Sequence, residues 1–243
     1  MKKKRWAIIK LIICIILFSF ACYKVYFWHT TTKETNEIIE EINNSIEINE
    51  TKEEKKYNID FNSLKEQNPD TVAYLRVNNT KIDYAVVQSN DNKYYLTHNF
   101  NKKGSASGWV FMDFHNKLDG TDKNIVIYGH SMLNKTMFGS LHNVVKSNWY
   151  TNTDNHNVVF VTEENEYTAQ VFSVYDIRVE EYYINTEFKS DEEFNKFINT
   201  LKKRSKYNFN VDVNTDDTIL TLSTCGNGGK SRTVLHAKLV KEG

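Results

Sequence analysis

A cysteine and an arginine stand at the two ends of a short glycine-rich segment near the end of the chain. Cys225 precedes and Arg232 follows the six residues 226–231, whose glycines and Asn227 permit a sharp reversal. The alternating, β-branched runs on either side predict two antiparallel strands. Directly opposed residues of such a pair have Cβ atoms about 5 Å apart. The thiol of Cys225 is therefore predicted to lie beside a permanent cation.

A neighbouring cation favours the thiolate, which is the reactive form of cysteine. The pattern favours a nucleophilic Cys225, and this segment leaves open the alternative of a small, buried, structural cysteine. Alternation also divides the strand between two faces. The face predicted to pack in the core comprises Leu220, Leu222 and Thr224. The face predicted to line a groove comprises Thr221, Ser223 and Cys225.

A cysteine nucleophile needs a group that exchanges protons, and histidine is the usual one. Two of the seven histidines lie in suitable contexts. His130 follows the apolar strand Asn124–Tyr128 and one glycine, where a rigid strand gives way to a loop. His236 is predicted to oppose Thr221, two same-face pairs along the ladder from Cys225, so the residue pattern alone leaves both histidines open. The others are predicted to lie on the surface or, for the first, at a membrane edge: His29, His98, His115, His142 and His156.

Charge and cysteine content exclude several classes of function. Lysine plus arginine number 31 and aspartate plus glutamate 31, so the net charge is zero, whereas general nucleic-acid binders carry a basic excess. Cys14 and Cys22 lie in an apolar N-terminal run, which leaves Cys225 without a disulfide partner in the rest of the chain. No His-x-x-x-His pair occurs. The sequence predicts no nucleic-acid partner, no metal and no cofactor.

The N-terminus has the features of a membrane anchor. The basic cluster Lys2–Arg5 precedes the apolar run Trp6–Trp28, whose uncharged centre is Leu11–Tyr23. Basic residues before a span favour a cytoplasmic N-terminus and an extracellular remainder. Residues 1–28 are therefore predicted to be a cytoplasmic tip and a single-pass signal anchor in the cell membrane. The alternatives are a cleaved signal peptide, which lacks a good small-residue cleavage site here, and a lipoprotein modified at Cys22.

Two further regions follow the anchor. Residues 29–58 are polar, and Ile38, Ile42 and Ile46 recur every four residues, which predicts a stalk helix with a thin apolar stripe. A solvated spacer is the alternative. Residues 59–243 are predicted to form the extracellular catalytic domain.

The pattern of this domain indicates a mostly β fold with peripheral helices. Many short strands joined by turn-rich loops favour an antiparallel barrel or sandwich over a doubly wound sheet. The predicted strands are 72–77, 82–87, 109–112, 124–128, 157–162, 166–178, 218–224 and 233–240. The predicted helices are 61–67, capped by Asp60, 134–146, and 191–204, for which Ser190 and Glu193 form a capping box.

Several short motifs, in order, resemble a known family. They are Asn68-Pro-Asp70, Ile82-Asp-Tyr84, Val86-Val-Gln88, Tyr94-Tyr-Leu96, Gly108, Phe111-Met-Asp113, Tyr128-Gly-His-Ser-Met132, Met137-Phe-Gly139, Leu141, Thr221-Leu-Ser-Thr-Cys225 and Arg232. Together they cover most of residues 59–240 and resemble the class B sortases, cell-wall transpeptidases of Gram-positive bacteria. The chain departs from the class at Val77-Asn-Asn-Thr80, where members often have Ile-Pro-Gly-Thr, and this affects a turn more than the chemistry.

The resemblance implies a fold and a site. The fold is a closed eight-stranded sortase-type β-barrel. Cys225 is implied as the nucleophile, His130 as the general acid and base in preference to His236, and Arg232 as the group that stabilises the substrate carbonyl or oxyanion. The residues implied in substrate binding are Leu96, Tyr183, Ile184 and Ser223. Tyr183 and Ile184 lie in the segment Val179–Phe188, which resembles a groove-lining loop of the class.

The resemblance also implies a reaction. The substrate is a secreted surface protein with a C-terminal sorting motif of the Leu-Pro-x-Thr-Gly or Asn-Pro-x-Thr type. The enzyme cleaves after Thr, holds the acyl group as a thioester, and passes it to an amine of a peptidoglycan cross-bridge or precursor. Two alternatives stay open: a membrane-anchored thiol endopeptidase that releases the acyl group to water, and an inactive surface-binding barrel. The presence of cysteine, histidine and arginine argues against the second.

Overall fold

In the part of the chain that the structure describes, eight strands close into a barrel, with a long helix at the N-terminus and three shorter α-helices around it. In the computed structural model residues 2–44, 46–50, 55–225 and 230–242 are described, and for residues 2, 47–50, 55, 56 and 225 the description is of the backbone alone. The α-helices are α1 (Lys2–Asn44), α2 (Phe61–Gln67), α3 (Ser147–Tyr150) and α4 (Asp191–Arg204). The strands are β1 (Ile46–Glu50), β2 (Lys55–Ile59), β3 (Thr71–Val77), β4 (Asp83–Val87), β5 (Phe111–Met112), β6 (Asn124–His130), β7 (Asn157–Thr162), β8 (Glu166–Arg178), β9 (Ile219–Cys225) and β10 (Ser231–Lys241).

The closed barrel confirms the predicted fold. Its strand order is β10-β8-β7-β3-β4-β5-β6-β9, with β9 returning to β10. Each predicted strand corresponds to one barrel strand, and β1 pairs with β2 in a separate hairpin. Most neighbours are antiparallel, but β6 lies parallel to β9 and β4 parallel to β5. Because β6 and β9 run in the same direction and in register, their C-terminal ends meet at one rim of the barrel. Parallel neighbours need a crossover connection between them.

Both faces of β9 are covered. Leu220 and Leu222 lie fully buried in the main core, as their alternation predicts. The opposite face packs under α4, which begins and ends where the sequence predicts. Ser190 caps this helix by accepting a hydrogen bond from the Glu193 amide at 3.2 Å. The apolar face of α4 packs on β8, β9 and β10 through Phe194, Phe197, Ile198 and Leu201.

The predicted helix 134–146 is wrong. A 3₁₀ helix occupies Phe138–Asn143, and α3 begins only at Ser147. Lys135 and Met137 have φ values of 68° and 50°, in the left-handed region, and no α-helix continues through such residues. Met137 instead bridges to Ser131 and donates its amide to the hydroxyl of Tyr84 at 2.8 Å. The apolar spacing that predicted a helix therefore comes from a chain that folds back on itself.

The C-terminal half of α1 rests on the barrel. Ile38 and Ile42 are buried against the main core, so the solvated spacer is the wrong interpretation of this segment. The hydroxyls of Thr35 and Ser107 lie 3.0 Å apart and add a polar contact. The predicted helical stripe ends early, because Ile46 begins β1, where it pairs with Ile59. The stalk thus combines the end of a helix with a hairpin.

The N-terminal half of α1 extends away from the barrel. Its apolar side chains are exposed, among them Trp6, Leu11, Phe18 and Val25. By length and composition the helix can cross a membrane, since its most apolar 18-residue window has a mean hydropathy of 2.3.

Candidate active site

The last residues of β6 and β9 bring together two predicted site residues. The two strands run parallel and in register through seven residue pairs, from Asn124–Ile219 to His130–Cys225. Neighbouring strands lie about 4.8 Å apart, so the backbones of His130 and Cys225 are direct neighbours at the rim. The side chain of Cys225 lies outside the described part of the chain. So do residues 226–229, which are most of the predicted loop 226–231.

The imidazole of His130 is held by a backbone carbonyl. It is half-buried, and its Nε2 lies 2.7 Å from the carbonyl oxygen of Leu96, at the end of the 3₁₀ helix Tyr94–Leu96. A carbonyl oxygen only accepts, so Nε2 carries the hydrogen. In the neutral ring Nδ1 therefore holds the lone pair and is the nitrogen able to take a proton. Residue types gave no sign of this contact, because it joins backbone to side chain across 34 positions.

Gly108 shapes the support beneath that carbonyl. Its φ is +56°, and a Cβ there would lie 2.3 Å from the carbonyl oxygen of Tyr95 and 2.9 Å from that of Leu96. Any larger residue would push away the segment that binds His130. Gly129, which directly precedes the histidine, has a similar role, because a Cβ there would lie 2.6 Å from the ring of Phe138. Both glycines hold His130 in place through close backbone packing.

Arg232 belongs to the strand on the other side of β9. The pairs His236–Thr221, Leu235–Leu222 and Val234–Ser223 confirm the register predicted for β9 and β10. Continued for two more residues, this register opposes Arg232 and Cys225. The half-buried guanidinium donates from Nη1 to the carbonyl oxygen of Ser231 at 3.0 Å. Over the described ranges no carboxylate forms an ion pair with it.

His236 is held in a closed polar network. Its side chain is 0% exposed, with Nε2 2.8 Å from the Tyr175 hydroxyl and Nδ1 2.8 Å from that of Thr221. The Thr221 hydroxyl donates its hydrogen to Oδ1 of Asn124, so it accepts from Nδ1–H, and Nε2 accepts from Tyr175. Burial, helped by the charge of Arg204, lowers the pKa of His236 to about 3. A ring that stays neutral to such acidity does not exchange protons near neutral pH, so His236 is structural.

A family model described as the sortase domain matches residues 75–240. The chain belongs to the sortase family. Two curated proteins indicate the class. Sortase B of Staphylococcus aureus is 29% identical over 245 residues, 99% of each chain. Sortase B of Listeria monocytogenes is 35% identical over 176 residues, 71% of each chain.

Solved structures agree with this assignment. A Staphylococcus aureus sortase B–substrate complex has a TM-score of 0.71 at 33% identity, and the match covers 75% of this chain and 85% of that one. A sortase B complexed with triglycine has the same score and identity, with 75% and 86% covered. The protein is thus a class B sortase, a cysteine transpeptidase of the kind that anchors surface proteins.

The four predicted substrate-binding residues lie at different depths in this sortase. Tyr183 and Ser223 are each 2% exposed, and their hydroxyls lie 3.0 Å apart. The prediction that this face of β9 lines a groove is therefore wrong at Thr221 and Ser223, because α4 and the 3₁₀ helix Tyr182–Ile184 cover it. Leu96 and Ile184 are half-buried. The role of all four residues in substrate binding stays a prediction.

His142 was predicted to lie on the surface, but it contacts residues at the barrel rim where β6 and β9 end. His142 is half-buried in the 3₁₀ helix Phe138–Asn143 and bonds to Ser131 and Thr233. The contact to Thr233 spans 91 positions of sequence, so no local pattern predicts it.

The buried His236 predicts a loss of stability in acid. Its folded pKa, about 3, lies below the ordinary value of 6.5, so the neutral form stabilises the fold above pH 6.5 and this contribution falls as the pH drops towards 3. Each pH unit is worth about 1.4 kcal/mol, so moving from pH 6.5 to 4.5 costs on the order of 2 kcal/mol. Urea unfolding at both pH values measures the difference for the wild type and for His236→Gln, which has no proton to take up.

We expect a smaller acid loss in His236→Gln, whatever its stability at pH 6.5. Equal acid losses in the wild type and His236→Gln would contradict this account of His236.

Proposed function

We propose that this sortase cleaves a C-terminal sorting motif after its threonine and joins the new carboxyl group to a peptidoglycan amine. Cys225 is the nucleophile, His130 the general acid and base, and Arg232 the donor to the oxyanion. The observation that carries this proposal is the pairing of His130 with Cys225 at the ends of adjacent parallel strands. The register of β10, which leads Arg232 towards the same rim, supports it.

Acylation is the first half of the reaction. Nδ1 of His130 takes the thiol proton, and the thiolate of Cys225 attacks the threonine carbonyl carbon. A carbon–sulfur bond forms while the carbonyl electron pair moves onto oxygen. When the tetrahedral intermediate collapses, the carbon–nitrogen bond breaks and the leaving amine takes the proton from His130. The products are a thioester and a free amine.

Transfer is the second half. The acceptor amine attacks the thioester carbon and gives a proton to His130. The carbon–sulfur bond then breaks, and the sulfur leaves as a thiolate that recovers the proton. One amide bond is exchanged for another, so no external energy source is required. Hydrolysis differs only in the acceptor, which is why the endopeptidase remains the alternative function.

Arg232 is suited to the developing oxyanion. Its guanidinium is a permanent cation with five N–H donors, and it has no ion-pair partner over the described ranges. Donors directed at charge that forms only in the transition state act more strongly in a water-poor site than on an open surface. The arginine therefore favours attack without binding the ground-state amide more tightly.

The relatives support a class of substrate and of acceptor. One related structure is a sortase B–substrate complex, and another is sortase B complexed with triglycine, a peptide with a free amine. For this chain we propose a secreted surface protein with a motif of the Leu-Pro-x-Thr-Gly or Asn-Pro-x-Thr type, and an amine of a cross-bridge or its precursor. Leu96 and Ile184 are proposed to contact the peptide, and Tyr183 and Ser223 to support the groove from beneath.

The proposed location rests on α1 and on the charges before it. We propose that residues 1–28 anchor the enzyme with its N-terminus in the cytoplasm, that residues 29–58 connect, and that residues 59–243 act outside the membrane. The basic cluster Lys2–Arg5 supports this orientation. Because Ile38 and Ile42 dock on the barrel, the enzyme would be held close to the membrane surface, where secreted substrates emerge.

The test uses the full-length protein in detergent with quenched peptides of both motif types, with and without triglycine. We expect cleavage after threonine, a ligated triglycine product, and a thioester adduct on Cys225 seen by mass spectrometry. Cys225→Ala should abolish all three. Release to water alone, even with triglycine in excess, would favour the endopeptidase. No cleavage of either motif, with Cys225 inert to iodoacetamide, would overturn the enzyme proposal.

A further inference from the structure

His142 connects the two strands that flank Cys225. Its Nε2 lies 2.8 Å from the hydroxyl of Ser131, which directly follows His130. Its Nδ1 lies 2.5 Å from the hydroxyl of Thr233, which directly follows Arg232. In the barrel β6 and β10 are not neighbours, because β9 lies between them. The imidazole therefore bridges across the end of β9.

The hydrogen bonds in this bridge have one consistent direction. Thr233 donates its only hydroxyl hydrogen to Oδ1 of Asp176 at 2.5 Å, and an ionised carboxylate only accepts. Thr233 must therefore accept from Nδ1–H of His142. In the neutral ring Nε2 then accepts from Ser131. The chain Ser131–His142–Thr233–Asp176 is satisfied at every member, which makes it a rigid connection.

The bridge also has a firm base. His142 lies in the 3₁₀ helix Phe138–Asn143, in which Phe138 and Leu141 are fully buried. The ring of Phe138 packs where a Cβ on Gly129 would be, one residue before His130. One short helix thus contacts β6 through Phe138 and both strands through His142.

We propose that His142 is a positioning residue that sets the distance between His130 and Arg232 across Cys225. This inference rests on the proposed roles of those three residues. An error of about 1 Å in the position of a catalytic group costs up to roughly a hundredfold in rate. The loss should appear in kcat rather than KM, because neither partner of His142 is a residue proposed to contact the peptide.

The charges around His142 favour the form that the bridge requires. Burial is the main cause that lowers its pKa, opposed by Asp176 on β8 and assisted by Lys135 and Lys146 on the segments before and after the 3₁₀ helix. The ring is therefore neutral at pH 7 and above. Activity measured at pH 7.5 reports on the intact bridge.

The test compares variants that remove different bonds of the bridge in the full-length enzyme, by kcat and KM for ligation to triglycine. His142→Ala removes both bonds, and we expect kcat to fall roughly ten- to a hundredfold with KM within a factor of about two. His142→Asn places an amide donor near Nδ1 and should recover some of the rate by bonding Thr233. His156→Gln is the control, since that half-buried histidine bonds the carbonyl oxygen of Tyr150 and takes no part in the Ser131–His142–Thr233 bridge.

A double-mutant cycle separates positioning from simple loss of stability. Thr233→Val removes the hydroxyl at nearly constant volume, and combined with His142→Ala it should cost little more in kcat than either change alone. If His142→Ala does not fold, His142→Asn and Thr233→Val carry the same comparison. A kcat within twofold of the wild type in these folded variants would overturn the inference. If Cys225→Ala itself remains active, the proposed function fails instead.

Discussion

Replacement of His130 by alanine is expected to lower kcat/KM for thioester formation by about three orders of magnitude. General acid–base groups contribute roughly 10²–10⁴ in rate, and His130 has to act on both the thiol and the leaving amine. The melting temperature should change little, because the imidazole is half-buried and its one hydrogen bond to the described residues is to the Leu96 carbonyl. Stopped-flow cleavage of a quenched motif peptide measures the rate, and calorimetry the stability.

His236→Gln gives the matched comparison. Both histidines lie on strands next to β9, but His236 is fully buried and bonded at both nitrogens. At pH 7.5 its replacement should cost stability and leave kcat/KM of the folded protein within a few-fold. The assignment of the base is wrong if His236→Gln loses the chemistry and His130→Ala keeps it.

The partner of His130 also predicts the pH dependence of the reaction. A neutral carbonyl orients the ring but does not stabilise an imidazolium as the aspartate of a protease triad does. The reaction then needs Cys225 as a thiolate and His130 as an imidazolium in the same molecule, so it should fail when the pH is too low for the first or too high for the second. We expect kcat/KM to be bell-shaped, and a profile that is flat between about pH 6 and 9 would contradict this.

Replacement of Arg232 by alanine is expected to lower kcat by about a hundred- to a thousandfold, with little change in KM. Removal of a donor to an oxyanion has an effect of this size, because the bond exists only in the transition state. Arg232→Lys should recover some of the rate, since it keeps the charge but loses the planar pair of N–H donors. Single-turnover acylation separates this step from transfer.

Arg178→Ala is the matched control for charge. Arg178 is exposed and pairs with Ser231, the residue before Arg232, so it has the same charge at the same end of β10. Its loss should change kcat less than threefold. A similar loss in both alanine variants, or full activity in Arg232→Lys, would show that general positive potential matters rather than a directed donor.

Local patterns were sufficient for the strands and for two helices, α2, which is capped by Asp60 as predicted, and α4. Short apolar runs between turn-rich loops located all eight barrel strands, because such runs are bounded by the residues that reverse the chain. The capped, amphipathic pattern of α4 gave its ends, since the signals for its start and its apolar face agree. The same reasoning failed at 134–146, where residues with positive φ reverse the chain, because apolar spacing does not report backbone conformation.

The catalytic candidates divide in the same way. Residue types and a loop length predicted the register that leads Arg232 towards Cys225, because both depend on residues near in sequence. Residue types and spacing did not decide whether His130 or His236 is the general base. The family resemblance favoured His130 but gave no physical reason. The fold supplies that reason, since burial excludes one ring from proton exchange.

Contacts between distant segments depended on the tertiary structure alone. The parallel pairing of β6 with β9, the Leu96 carbonyl that holds His130, and the bridge of His142 to Thr233 each join segments at least 34 residues apart. Residue types determine which groups can form hydrogen bonds, and short-range periodicity indicates which face of a strand or helix they occupy. Which of the many possible partners they meet is decided by how the barrel closes, because closure sets the order and direction of strands that the chain itself keeps far apart.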